Sequence, residues 1–153
     1  MIKVKKKVLV ISFFTLLIDI VSKYLVFSMD KFNNSFVVIK NFFKITPIKN
    51  FGASFSTFEN MNVLLISISV IILIYLLLSI NKVKDTKLNG LSYGLLIGGL
   101  LGNLYDRLIF GYVRDFLSFK ILSYNFAIFN VADIGIVVGV ILLLVLSIIK
   151  EKK

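Results

Sequence analysis

Two aspartates are the side chains of this sequence best placed to do chemistry, because each stands beside an apolar segment long enough to cross a membrane. Asp115 follows the third such segment and Asp133 begins the fourth, so the connection between them can bring both carboxyls together. One carboxyl would then be protonated and the other ionised, with a water molecule activated between them. Asn130, three residues before Asp133, can orient it. The pattern predicts aspartic-protease chemistry at a membrane surface, with transport or helix-end capping as alternatives.

Composition removes most other catalytic chemistries. The 153 residues include no cysteine and no histidine, which excludes thiol nucleophiles, histidine bases, disulfides and most zinc sites. The net charge of +10 comes from lysines that cluster beside apolar segments. Membrane topology and anionic lipid headgroups therefore explain the charge better than nucleic acid does, and no nucleic-acid partner is expected.

Hydrophobic residues make up 58% of the chain, more than soluble domains usually carry, which predicts an integral membrane protein. The predicted fold is membrane all-α with a small β element, in a single domain comprising residues 1–153. Each of its four transmembrane helices approaches the ~20 residues that cross the hydrocarbon core. The first is expected to be an uncleaved helix, since its apolar stretch is too long for a secretory signal and no A-x-A-like site follows. The four segments are 8–27, 61–80, 88–108 and 131–149.

The distribution of lysine and arginine predicts that both termini are cytoplasmic. Lysines crowd into the two terminal segments and the short connection between the second and third helices, whereas they are spread thinly over segments 29–60 and 109–130. These two longer segments would then lie on the outer face, together with both aspartates. Motifs from separate parts of the chain would meet at one membrane surface.

The first outer segment, 29–60, is predicted to contain a small extracytoplasmic sheet, because residues 36–39 and 42–46 are rich in β-branched and aromatic types. A purely structural cap is the alternative to a role at the site. The second outer segment, 109–130, has apolar side chains that favour an amphipathic turn or short interfacial helix. These side chains are Phe116, Leu117, Phe119 and Leu122.

Further polar side chains lie within or beside the predicted helices. Asp19 and Lys23 are four residues apart, so they face the same side of the first helix and neutralise each other. Asn103 and Arg107 share a face at the end of the third helix, while Asp106 points elsewhere. Packing between helices and a salt-bridged helix end explain these sets as well as contacts with a substrate do.

Glycines mark places where backbones can approach closely. Asn50 and Gly52 precede the second helix and are typical of a turn or of such an approach. Small residues spaced by four favour close helix packing in membranes. The third and fourth helices carry this spacing at Gly94, Gly98, Gly102, Gly135 and Gly139.

Together these motifs resemble the lipoprotein signal peptidase family, signal peptidase II, over nearly the whole chain. They occur in the family's order and spacing, and the last three together are highly specific. The motifs are Asp19-x-x-x-Lys23, Asn50-x-Gly52-Ala53-x-Phe55, Gly102-Asn103-x-x-Asp106-Arg107, Val113-x-Asp115-Phe116 and Phe129-Asn130-x-Ala132-Asp133.

The resemblance implies a four-helix enzyme of the bacterial cytoplasmic membrane that cleaves prolipoproteins just before a cysteine carrying diacylglycerol. Asp115 and Asp133 would be its catalytic pair and Asp106 a structural residue. Diacylglyceryl-modified prolipoproteins and membrane lipid would be its partners, with no metal or organic cofactor and no demand for more than a monomer. The positions implied to support the site or bind substrate are Asp19, Lys23, Asn50, Gly52, Asn103, Arg107 and Asn130.

Three positions depart from the family's pattern. Ile20 stands where Gln is usual, Ala127 where Pro commonly follows Phe, and Ser54 where Ala is usual. All three lie outside the aspartate pair, so they concern loop shape and substrate preference. The alternative function is a small ion- or proton-coupled transporter or channel. Such proteins tend to place charges near the membrane midplane and to repeat their halves, whereas here the polar motifs gather at one face.

Overall fold

The computed structural model describes residues 2–28, 35–52, 61–122 and 124–151. These residues form four α-helices and four strands, with a 3₁₀ turn at Ile80–Lys82 after the second helix. In chain order the elements are α1 (Ile2–Ser28), β1 (Phe36–Ile39), β2 (Phe43–Asn50), α2 (Asn62–Ser79), α3 (Lys87–Phe110), β3 (Val113–Ile121), β4 (Tyr124–Asn125) and α4 (Val131–Glu151).

Helix α3 is the centre of the bundle, and α1, α2 and α4 pack around it. It begins where the Thr86 side chain accepts a hydrogen bond from the Asn89 N–H at 3.1 Å. It ends at Gly111, whose left-handed backbone (φ 78°) turns the chain towards β3. Along its length, Gly98 lies directly against Thr15 and the backbone of Ser12 on α1. The predicted role of the spaced glycines in helix packing is confirmed, because Cβ atoms at Gly94, Gly98, Gly102 and Gly139 would collide with neighbouring helices and one at Gly135 would be tightly packed.

Three helices in the described part of the chain are long and apolar enough to cross a membrane. They contain the spans Val4–Ser28, Asn62–Lys82 and Val131–Ile149, and each overlaps a predicted apolar segment. Their outward faces carry exposed large apolar side chains, as lipid contact requires. Helix α3 is not among these three, and it is the helix most enclosed by the others. The count of four membrane spans therefore stays a prediction.

The four strands form one antiparallel sheet in the order β1-β2-β3-β4. Strands β1 and β2 confirm the predicted strands at 36–39 and 42–46, although β2 runs on to Asn50. In the pairing of β2 with β3, Ile48 stands opposite Asp115 and Asn50 opposite Val113. An irregularity between Ile45 and Ile48 contains Pro47, which has no N–H to offer the ladder. The register brings Asn50 next to the aspartate.

The predicted short helix or turn in segment 109–130 is wrong. Residues 113–121 are instead the strand β3, because the edge of β2 offers backbone partners that a helix lying at an interface would forgo. Side chains reinforce the strand, since the Phe119 ring stacks against Phe43 at 4.6 Å and against Phe129 at 5.6 Å. Phe116 is buried against Val26 rather than exposed to lipid.

Candidate active site

Strand β3 and the start of α4 bring Asp115 and Asp133 to one cavity of about 650 Å³. The segment before α4 pairs with β3, since the Leu117 N–H donates to the Phe129 carbonyl at 2.8 Å and the Phe129 N–H donates to Leu117 at 3.2 Å. This pairing sets Asn130 and the helix start beside Asp115. Asp115 is 2% exposed, whereas Asp133 is partly open to the cavity. The structure thus places both aspartates on the wall of the same cavity, and their catalytic role stays a prediction.

Two asparagine amides hold the carboxyl of Asp115. Asn50 donates through Nδ2 to one oxygen at 2.7 Å, and Asn130 donates through Nδ2 to the other at 2.6 Å. Each amide is fixed by a second bond, because the Asn50 Oδ1 accepts from the Gly52 N–H and the Asn130 Oδ1 accepts from the Asp133 N–H. Both amide donors are thus locked towards Asp115.

Asp133 belongs to the cap of α4. Asn130 precedes the first residue of the helix, and its side chain accepts from the Asp133 N–H at 3.0 Å while its own N–H donates to the Asp133 carboxyl at 3.1 Å. This exchange is a capping box built from Asn and Asp. Asn103 on α3 donates through Nδ2 to the other oxygen of Asp133 at 2.7 Å. The helix N-terminus itself favours a negative charge at this position.

A fully buried ion pair lies behind the asparagines. Lys23 contacts Asp19 at 2.7 Å and Asp106 at 3.3 Å, and all three side chains are 0% exposed. Lys23 also donates to Asn103 Oδ1 at 3.1 Å, which orients that amide towards Asp133. Asp19 accepts from the Ala132 N–H at 2.9 Å, so α1 satisfies a free backbone donor in the first turn of α4. Asp19 and Lys23, the pair predicted on α1, thus connect α1 with α3 and α4.

The remaining predicted residues divide between the cavity and its surroundings. Arg107 lines the cavity and donates to the Gly52 carbonyl at 3.2 Å, which ties the end of α3 to the chain after β2. Asp106 points away from the cavity and into the buried ionic cluster. This agrees with the prediction that Asp106 lies on a different face of α3 from Arg107. Ala53, Ser54 and Phe55, quoted in the sequence motifs, lie outside the described residues.

The sequence motifs missed Arg114. It lies 7% exposed on β3 and contacts Asp106 at 2.8 Å. The available signal was a charged residue between Val113 and Asp115, which needs a partner if it is buried. In the described part of the chain, no three Asp, Glu, His or Cys side chains gather closely enough to hold a metal ion.

The surroundings of Asp115 favour its protonated form. Burial above all, and then the charge of Asp133, raise the pKa of this carboxyl to about 7, against the opposing effect of the Asn50 and Asn130 amide donors and the charge of Lys23. A carboxyl that still holds a proton near neutral pH can act as an acid. A second carboxyl on the same cavity can act as a base, so the site has the components for acid–base hydrolysis.

The fold and the cavity are those of a helical membrane protein with two carboxyls beside a small sheet, a combination suited to a membrane hydrolase. Comparison with known proteins identifies the family. The family model described as Signal peptidase (SPase) II matches residues 11–149. A lipoprotein signal peptidase from Halothermothrix orenii is 38% identical over 137 residues, which cover 90% of this chain and 92% of the relative.

Solved structures agree with this comparison. One, described as a bacterial membrane enzyme solved by the in meso method at 2.3 Å resolution, superposes with a TM-score of 0.84 at 34% identity, covering 95% of this chain and 89% of its own. A second, described in the same way at 1.9 Å, has a TM-score of 0.79 at 35% identity and covers 90% of each chain. The chain belongs to the signal peptidase II family. Membership confirms the resemblance and the predicted peptidase, and it favours the enzyme over the transporter.

Proposed function

We propose that this protein is an intramembrane aspartic endopeptidase that cleaves prolipoproteins on the N-terminal side of a diacylglyceryl-modified cysteine. Family membership gives the activity: the chain removes signal peptides from prolipoproteins. The observation that carries the proposed mechanism is the pair Asp115 and Asp133 on one cavity, each held by two amide donors.

In the proposed reaction Asp133 is the base and Asp115 the acid. Asp133 takes a proton from water as the water oxygen bonds to the scissile carbonyl carbon, and Asp115 gives its proton to the carbonyl oxygen. The resulting tetrahedral intermediate collapses when Asp133 returns a proton to the leaving nitrogen and the C–N bond breaks. One hydroxyl proton passes back to Asp115, which restores both carboxyls. The raised pKa of Asp115 supports its role as the acid.

Other side chains serve this pair in the proposed mechanism. Asn50, Asn103 and Asn130 orient the carboxyls, and Lys23 with Asp19 holds Asn103 and the start of α4. Arg107 and Gly52 shape the entrance where a substrate backbone would lie, and Asp106 is structural.

The cavity supports a lipid-linked peptide as substrate. Apolar side chains from α3 and α4 make up much of its wall, and it lies where exposed apolar helix faces meet the sheet. A cysteine held in the outer leaflet by its acyl chains would present its scissile bond near this boundary. The apolar wall residues include Leu100, Val113, Ile134, Ile136, Val137 and Val138.

The proposed setting is the bacterial cytoplasmic membrane. Helix α3 is the fourth span: its 24 residues are long enough to cross, and the surrounding helices shield its polar residues from lipid. Both termini are cytoplasmic and the sheet lies on the outer face, as the lysine distribution favours. A single chain supplies all the side chains proposed for the site, so the proposed reaction requires no more than a monomer.

Cleavage of matched peptides tests the substrate. Purified protein is given a prolipoprotein peptide whose cysteine carries diacylglycerol and the same peptide without the lipid, and products are identified by mass. We expect cleavage directly before the modified cysteine and at least tenfold slower cleavage of the unlipidated peptide. Equal rates on both peptides, or a cut elsewhere, would contradict the proposed specificity.

A further inference from the structure

We propose that Arg114 is a positioning residue for the peptidase reaction, which holds Asp115 in place and balances the charge behind the aspartate pair. The inference rests on the proposed roles of Asp115 and Asp133. Arg114 binds the Asp106 carboxyl through both its backbone N–H and its guanidinium. Its backbone N–H donates at 2.9 Å, while its guanidinium donates from Nε at 3.2 Å and from a terminal nitrogen at 2.8 Å. The Phe110 ring lies 4.5 Å from the guanidinium carbon and covers it.

The positioning follows from the geometry of a strand. Successive side chains of β3 point to opposite faces, so Arg114 directed towards α3 leaves Asp115 directed towards the cavity. The Asp106 carboxyl also binds the backbone N–H of Arg114, immediately before Asp115. Asp106 and Arg114 are eight residues apart and close the loop from α3 through Gly111 into β3. Rotation of this loop would carry Asp115 away from its two asparagine donors.

The charge balance follows from the number of buried ions. Asp19 and Asp106 are both 0% exposed, and Lys23 lies between them. Arg114 supplies the second positive charge, so the cluster of four is neutral. Without Arg114, one uncompensated negative charge would remain in the interior, connected to Asp133 through Lys23 and Asn103. Such a charge would raise the pKa of Asp115 further and move the active range to higher pH.

Other charged side chains near Asp115 and Asp133 also influence the pH profile, so the test variants must leave them unchanged. Arg107 shares the cavity with both aspartates. Lys49 stands opposite Arg114 on β2 but is exposed and lies over the Tyr112 ring. Among the residues that the structure describes, the charged groups near Asp115 are thus Asp19 and Lys23 on α1, Lys49 on β2, Asp106 and Arg107 on α3, Arg114 on β3 and Asp133 on α4.

Four variants test the inference, with kcat, KM and the pH profile measured on the diacylglyceryl-modified peptide and folding followed by thermal unfolding in detergent. Arg114→Met removes both the guanidinium hydrogen bonds to Asp106 and the positive charge. Arg114→Lys keeps the positive charge without the guanidinium geometry. The double variant Asp106→Asn with Arg114→Met removes the negative and the positive charge together. Lys120→Gln is the control, because it removes a positive charge from the exposed end of the same strand.

We expect Arg114→Met to lower kcat at least about tenfold with little change in KM, since a misplaced acid costs rate more than binding. Its pH profile moves to higher pH. The double variant keeps the low kcat but regains the wild-type profile, because the cluster is neutral again. Arg114→Lys keeps the wild-type profile with an intermediate kcat, and Lys120→Gln matches the wild type throughout.

A folded Arg114→Met protein with wild-type kcat and pH profile would overturn the proposal. A profile that shifts equally in the single and double variants would overturn the charge-balancing role. If Arg114→Met does not fold, wild-type kcat in both Arg114→Lys and the double variant would overturn the positioning role. Failure of the proposed function is distinct: the wild type would then leave the peptide intact, or Asp115→Asn would cut it at the wild-type rate.

Discussion

At the scale of single residues, amides rather than opposite charges hold the two aspartates. Asn50, Asn103 and Asn130 each donate to a carboxyl, and each has its own oxygen occupied by another donor. An amide donor steadies a carboxyl without the strong charge that would keep it permanently ionised. Lys23 donates to Asn103 behind the pair, and Arg107, on the cavity wall, donates to the Gly52 carbonyl. This arrangement permits one carboxyl to hold a proton at neutral pH.

The raised pKa of Asp115 predicts a pH-dependent stability. Because folding favours the protonated carboxyl, the group stabilises the fold fully below its ordinary value near 3.8 and loses that contribution as the pH rises to about 7. The contribution is up to about 4 kcal/mol. Asp115→Asn cannot ionise, so we expect its unfolding temperature to lack the fall between pH 4 and pH 7 that this carboxyl gives the wild type.

Thermal unfolding in detergent between pH 4 and pH 8 measures this effect. The difference between the wild type and Asp115→Asn should grow with pH. Asp85→Asn is the control, since its carboxyl lies outside the cavity, where it pairs with Lys7. Parallel curves for the wild type and Asp115→Asn would show that the Asp115 pKa is unchanged by folding.

Local spacing made some of these contacts predictable from the sequence. The pairs Asp19–Lys23 and Asn130–Asp133 are four and three residues apart, and such separations meet on or at the start of a helix. Contacts between distant residues, such as Lys23 with Asn103, depend on how the helices pack. Arg114 was missed for this reason, because its partner Asp106 lies on another element.

At the scale of elements, α3 combines polarity with close packing. Its glycines bring α1 and α4 within backbone contact, and that closeness lets side chains of α1 and α3 and a backbone N–H of α4 share one buried cluster. Separation of α1 from α3 would also separate Lys23 from Asn103. The packing of the helices and the geometry of the site are therefore coupled.

Gly98→Ala tests this coupling. A Cβ at residue 98 would lie 2.6 Å from the Thr15 Cβ and 2.7 Å from the Ser12 carbonyl oxygen, so α1 must move. We expect a loss of about 1–3 kcal/mol in unfolding free energy, together with reduced cleavage. Denaturant titration in detergent measures the first and the peptide assay the second.

Gly135→Ala is the matched control for this substitution. Its Cβ would approach the Leu95 carbonyl oxygen and the Thr15 methyl only to 3.1 Å, so a smaller loss is expected. An equal loss at both positions, or none at Gly98, would contradict the packing described for α1 and α3.

The sequence pattern predicted the helices better than it predicted strand β3. Long apolar runs identify the helices because a membrane span needs about 20 residues whatever its partners. A nine-residue mixture of apolar and polar residues such as Val113–Ile121 suits either an interfacial helix or a strand. Residues 113–121 form a strand because the edge of β2 offers backbone hydrogen-bond partners. The sequence alone does not show that this edge is available.

At the scale of the whole molecule, the sheet and the start of α4 meet the helix bundle at one end, and the aspartate cavity lies there. The connection between α2 and α3, with its lysines, lies at the other end of α3. This polarity agrees with a protein that has a basic cytoplasmic end and a catalytic outer end.

Single cysteines test that orientation cleanly, because the natural chain contains none. Lys40 lies exposed in the turn between β1 and β2, and Lys84 lies exposed before α3. In intact cells we expect a membrane-impermeant maleimide to label Lys40→Cys, and to label Lys84→Cys only after permeabilisation. The opposite pattern would invert the proposed topology, and labelling of both without permeabilisation would refute four spans.

The central claim is that Asp115 and Asp133 are the catalytic pair, and the most direct measurement is the initial rate at which each Asp→Asn variant cleaves the diacylglyceryl-modified peptide. Asp85→Asn provides the same chemical change away from the cavity. We predict that Asp115→Asn and Asp133→Asn each lose at least about a hundredfold in rate while remaining folded, and that Asp85→Asn keeps the wild-type rate. A folded variant of either aspartate that cleaves at the wild-type rate would contradict the claim.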